Sequence, residues 1–106
     1  MPASPSRHVG FRRIANAALE RADAIVMRWL PEGRREGAEW VAINPTRVDH
    51  RKGSFKINLR TGAWADFATN HRGGDLISLA AVLFQISQRE AALRLAEMIG
   101  VDPYDG

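Results

Sequence analysis

SFKINLRTGAWADF, residues 54–67, is the stretch whose reading decides the fold. SFKINL and AWADF each alternate apolar with polar residues, and Arg60-Thr61-Gly62 between them ends in glycine, so the stretch reads as one β-hairpin. A loop made of a type I turn and a left-handed residue puts Gly62 in that last position. The loop sets the register, with Leu59 opposite Ala63, Asn58 with Trp64, Ile57 with Ala65, Lys56 with Asp66 and Phe55 with Phe67. Phe55, Ile57, Leu59, Ala63, Ala65 and Phe67 then form the core face, and Lys56, Asn58, Trp64 and Asp66 the other. On this reading the outer face carries a cation, an indole and a cross-strand Lys56–Asp66 ion pair.

Upstream of the hairpin, Glu39-Trp40-Val41-Ala42-Ile43 reads as a strand that Asn44-Pro45-Thr46 ends, since proline has no N–H to give a ladder. VDHRKG, residues 48–53, is the loop that delivers the chain to the hairpin. Further back, Phe11 to Leu30 reads as one helix with Ile14, Ala18, Ile25 and Trp29 on a stripe, stopped by Pro31 and Gly33. Residues 33–37 are a polar connector. Downstream, ATNHRGG is a loop, and Asp75 is the N-cap of a helix to about Gln85 that is apolar nearly all round. Ser87 and Glu90 have the spacing of a capping box for a last helix to Ile99, with Gly100 as its stop. The predicted fold is α+β: a small three-stranded antiparallel sheet packed with one N-terminal and two C-terminal helices. Residues 1–9 read as a flexible arm, 10–100 as a single domain, and 101–106 as a tail that is either a natural end or the approach to another domain.

With 106 residues, 45% of them hydrophobic and 25% charged, the chain suits one folded domain with a modest core. Its apolar runs fall short of the roughly 20 residues of a membrane span, and MPASPSRHVG lacks the apolar stretch of a secretory signal, so the expected location is cytoplasmic. The absence of cysteine excludes disulfides and thiolate metal sites, and the three histidines form no spaced ligand pair. The basic excess lies in residues 44–72, where six Lys/Arg face two Asp. Such a patch suits a polyanion, with a solvated basic surface as the alternative.

As a nucleic-acid surface, Arg47, His50, Arg51, Lys52, Lys56, Arg60 and Arg72 supply charge for phosphates, and Trp64 supplies an indole to stack on an unpaired base. The combination favours single-stranded DNA, with RNA or duplex DNA as other forms of the same partner. The competing reading of Trp64 is burial beneath the first strand or helix. Catalysis finds little support: Asp49, His50, Asp66 and His71 are the nearest approach to a catalytic set, with no activated nucleophile beside them. A third class is a protein-interaction module that docks on a replication enzyme without touching DNA, for which Trp29, Trp40, Phe84 and Tyr104 are the natural anchors.

Residues 39–100 resemble the zinc-ribbon module that precedes the Toprim core in primases of the bacterial and phage or plasmid type. In that family a C-P-x-H knuckle, a P-S-F strand, an aromatic strand ending in C-x-x-C, and a G-D-x-I helix start follow one another. Here Asn44-Pro45-Thr46-Arg47, Gly53-Ser54-Phe55, Trp64 to Thr69 and Gly74-Asp75-Leu76-Ile77 stand in those places. Asn44, Arg47, Asp66 and Thr69 occupy the four ligand positions, so the resemblance implies a degenerate ribbon without metal or cofactor. Its lost metal stability must be replaced by the flanking helices and by hydrogen bonding among Asn44, Asp66 and Thr69. The resemblance further implies a template-binding, non-catalytic module of a mobile-element primase or primase-helicase, with a Toprim or helicase domain, fused or separate, as its partner.

Overall fold

The computed structural model describes residues 8–46 and 55–105. The elements run β1 (His8–Val9), α1 (Phe11–Leu19), α2 (Ala22–Trp29), β2 (Arg34–Glu36), β3 (Glu39–Ala42), β4 (Phe55–Asn58), β5 (Trp64–Asp66), β6 (His71–Gly73), α3 (Leu76–Phe84), α4 (Gln88–Ile99) and β7 (Tyr104–Asp105). β2 to β6 form one five-stranded antiparallel meander in chain order, and β1 pairs with β7 in a separate two-stranded ribbon. The α+β class stands, but the sheet has two more strands than the sequence pattern predicts. Both additions are polar edge strands, Arg34–Glu36 and His71–Gly73. They carry no apolar alternation, and they join the sheet by pairing with β3 and β5.

The hairpin register also differs from the expected one. Phe55 pairs with Asp66, Lys56 with Ala65 and Ile57 with Trp64, a slip of one residue that turns the side chains of β5 over. The cause is Asn58. Its Oδ1 accepts the N–H groups of Arg60 and Thr61 at 2.8 and 3.1 Å, its carbonyl accepts from Gly62 N at 2.8 Å, and its own N–H donates to the Ala63 carbonyl at 2.7 Å. The loop therefore starts at Leu59 instead of Arg60, while Gly62 takes the expected positive φ, at 81°. Trp64 and Asp66 move to the buried face with Phe55 and Ile57, and Phe67 moves out.

Among the described residues four helices cover the inner face, because the expected N-terminal helix is broken at Glu20 and Arg21. Neither residue is a helix breaker. α1 packs against α3 and α4, whereas α2 turns away to bring Leu30 to Trp40 and Trp29 to Phe84. The caps follow the sequence: Asp75 Oδ1 accepts from Ser78 N at 2.8 Å, Ser87 Oγ from Glu90 N at 3.0 Å, and Gly100 ends α4 at φ 77°. One core cluster joins Phe55, Ile57 and Trp64 of the sheet to Ile14, Val26, Leu79 and Leu95 of the helices. No helix among the described residues is long and apolar enough to cross a membrane.

Candidate nucleic-acid interface

Directly paired residues of an antiparallel sheet share a face. The registers therefore place Arg34, Val41, Lys56, Ala65 and Arg72 in one row across all five strands, on the face away from Trp40, Ile57 and Trp64. The three cations are two strands apart, about 10 Å between successive Cα atoms at ordinary strand spacing. Arg34 is tied to Glu36 by an exposed ion pair of 2.6 Å. Beside the row, Phe67 is 68% exposed and Lys56 Nζ lies 6.0 Å from its ring centroid. An open groove of about 320 Å³ runs over this face, with Lys56, Asn58, Phe67, His71 and Arg72 in its lining and the half-buried Glu39 and the buried Asp66 as its acids. The surface thus offers a shallow channel with separated cations and one aromatic ring, which is what a polyanionic strand with unpaired bases requires.

Of the residues expected from sequence, Lys56 and Arg72 come together here. Arg60 is exposed in the β4–β5 turn, at the opposite end of the hairpin from Phe67. Arg47, His50, Arg51 and Lys52 lie outside the described residues. Trp64 is a correction. It is buried, stacks edge-on to Phe55 at 6.0 Å and donates its Nε1–H to Ser78 Oγ at 2.9 Å, so it holds the sheet to α3 and has no face to offer a base. The Lys56–Asp66 pair is a second correction, since the slipped register puts the two side chains on opposite faces. Phe67 and Arg34 are additions that the sequence pattern did not place at the site. The Asn58 turn signal would have exposed Phe67, and Gly37-Ala38 between RRE and EWV is the two-residue hairpin signal that would have found Arg34.

Beneath one end of the groove lie the positions where the resemblance puts metal ligands. Asn44 and Asp66 are both buried, and Asn44 Nδ2 donates to Asp66 Oδ2 at 3.0 Å. Asn44 Oδ1 accepts from the Thr46 N–H and hydroxyl at 2.9 and 2.7 Å, and Asp66 Oδ1 accepts from Ala68 N at 3.0 Å. Thr69 is exposed, and its hydroxyl accepts a long bond from His71 N at 3.4 Å. Arg47 lies outside the described residues. An amide that donates to the one carboxylate present is no zinc donor set, so these residues do not fit the metal. The two side chains instead tie the end of β3 to the end of β5 and satisfy each other. Among the described residues no group of three or more His, Cys, Asp or Glu is placed to hold a metal ion, and the gathering of Asp49 and His50 with Asp66 and His71 falls partly outside them.

The expected docking anchors divide. Trp40 is buried with its Nε1–H on the Leu30 carbonyl at 3.0 Å, and Tyr104 is half-buried in β7, whereas Trp29 and Phe84 meet edge-on at the surface.

No protein-family model and no curated protein sequence matches this chain. Among solved structures it is similar to the Aquifex aeolicus primase, in a crystal structure of the zinc-binding and RNA polymerase domains, with a TM-score of 0.71 and 21% identity over 90% of this chain. It spans 22% of the length of that primase chain, in the zinc-binding region. The fold of this chain is that of a primase zinc-binding region, built from a sequence with no cysteine.

Proposed function

We propose that the outer face of the sheet binds single-stranded nucleic acid, with template DNA as its substrate, for a primase or primase-helicase-like replication protein of a mobile element. The observation that carries the reading is the row of Arg34, Lys56 and Arg72 with Phe67 exposed beside Lys56. The fold likeness to a primase supports the replication context, and a Toprim or helicase domain, fused or separate, is the partner that context supplies. Arg47, His50, Arg51 and Lys52 belong to the reading on sequence grounds, as they join β3 to β4. The role is binding, without catalysis by this chain.

A flat face with one exposed ring favours unpaired bases over duplex, because stacking needs a free base face. The test is fluorescence anisotropy of a labelled oligo-dT at low and moderate salt. Lys56→Ala with Arg72→Ala should lower the salt slope by about 1.4, at roughly 0.7 for each single-strand phosphate that is no longer neutralised. Phe67→Ala should cost roughly 1–3 kcal/mol of binding with the salt slope unchanged. Equal affinity for wild type and both variants would remove this face from the reading; tighter binding to a duplex of the same length would remove the single-strand preference.

A further inference from the structure

A second groove lies among the helices and shares no lining residue with the first. It measures about 390 Å³, and its floor is the buried Ala80 of α3 and Ala91 and Leu95 of α4. Its walls are not buried: Phe84 is 48% and Met98 36% exposed, and Trp29 stands half-buried against Phe84 with ring centroids 5.6 Å apart. Two small residues on facing helices leave a trough into which large side chains fit. The rings that border it are fixed by each other, so little order would be lost on filling it.

Charge selects the occupant. Among the described residues the only charged groups lining the trough are Arg28, in the last turn of α2, and Arg94, in the middle of α4. Arg94 is steadied by Glu90 at 2.6 Å, whereas Arg28 has no ion pair among the described residues. The trough therefore combines an apolar floor with two guanidinium groups in its lining, that of Arg28 the one without an acid beside it among the described residues. We propose that it docks an acidic amphipathic helix of a partner protein, whose apolar side chains enter between Trp29, Phe84 and Met98 and whose flanking carboxylates meet Arg28 and Arg94. A helix suits it because the α4 residues that line it, Ala91, Arg94, Leu95 and Met98, follow helical spacing, and ridges of a second helix pack along such a row.

The test uses the full chain, labelled with 15N, and two synthetic amphipathic helices of roughly five turns. Both carry Leu and Phe at i, i+3, i+4 and i+7; one has Glu at the flanks and the other Lys. The acidic peptide should shift the amide signals of Arg28, Phe84, Ile86 and Met98 and bind at least about tenfold more tightly than the basic one. R28E with R94E should reverse that preference. Phe84→Ala should weaken the acidic peptide about tenfold while leaving oligo-dT binding unchanged, which separates this groove from the sheet face. Equal binding of both peptides, or no shift at these amides with either, would overturn the proposal. Sedimentation showing a dimer that F84E dissolves would also overturn it, in favour of a second copy of this chain as the occupant.

Discussion

Asp66 stands at one of the four positions where the resemblance puts a metal ligand. It is fully buried, and its two oxygens accept from Asn44 Nδ2 and from Ala68 N. Its carbonyl closes the following loop by accepting from Asn70 N at 2.8 Å. Asp66→Ala strips the acceptors from at least two donors, each orphan costing about 1–3 kcal/mol, so the urea midpoint should fall by an equivalent of roughly 2–6 kcal/mol. Asp66→Asn retains the shape and the acceptor for Ala68 N but sets its N–H2 group against that of Asn44, which leaves two buried donors facing each other, and should lose at least half of that. With no thiolate in the chain, a strong chelator should leave both midpoints where they were; a chelator-induced shift would mean that a metal contributes after all. Asp66 was readable as a ligand-position substitute, but its burial was not, because the alternation of AWADF fits either face and only the turn decides which.

At the scale of elements, the two turns that frame β5 are built alike. Asn58 and Asp66 each open a four-residue loop with a side-chain oxygen on the N–H two residues on and a carbonyl on the N–H four residues on. Gly62 and Asn70 close the loops at φ 81° and 65°. Gly62→Ala should therefore destabilise by about 1–2 kcal/mol through the backbone alone, since the added methyl would meet only ordinary contacts, and Asn70→Gly should be neutral or stabilising; thermal melts of the two variants check the pair. A loss with both would show that side-chain contacts dominate. Local chemistry was thus well legible: Gly62, Asp75, Ser87 and Gly100 all do what their types suggest. Register was not, since starting the loop at Arg60 and not at Leu59 displaces every pair by one. The edge strands and the break at Glu20 and Arg21 arise from partners distant in sequence, and no local pattern records them. At the candidate site the same slip exchanged the roles of Trp64 and Phe67, while Lys56 and Arg72 were visible as charge.

For the molecule as a whole, the two binding readings require the sheet and the helical layer to behave as one body, and the ribbon of β1 and β7 is the part least committed to it. Each strand has two residues, and ladders this short are marginal in water. Arg13 of α1 fastens the ribbon: its Nε donates to Asp105 Oδ1 at 3.1 Å and its guanidinium to the Tyr104 carbonyl at 2.6 Å. Both members of the ion pair are substantially exposed, at 43% and 60%, so the pair should add no more than about 1 kcal/mol to global stability. Its effect should be local. Arg13→Ala should raise amide exchange at Val9 and Tyr104 by an order of magnitude or so, while Phe55, Ile57 and Leu79 in the shared core keep their protection. Oligo-dT affinity should stay at the wild-type value, because the ribbon lines neither groove. Faster exchange across β4 and α3 as well would show that the ribbon opens with the core, and that changes at the two ends of the described chain reach the sheet face.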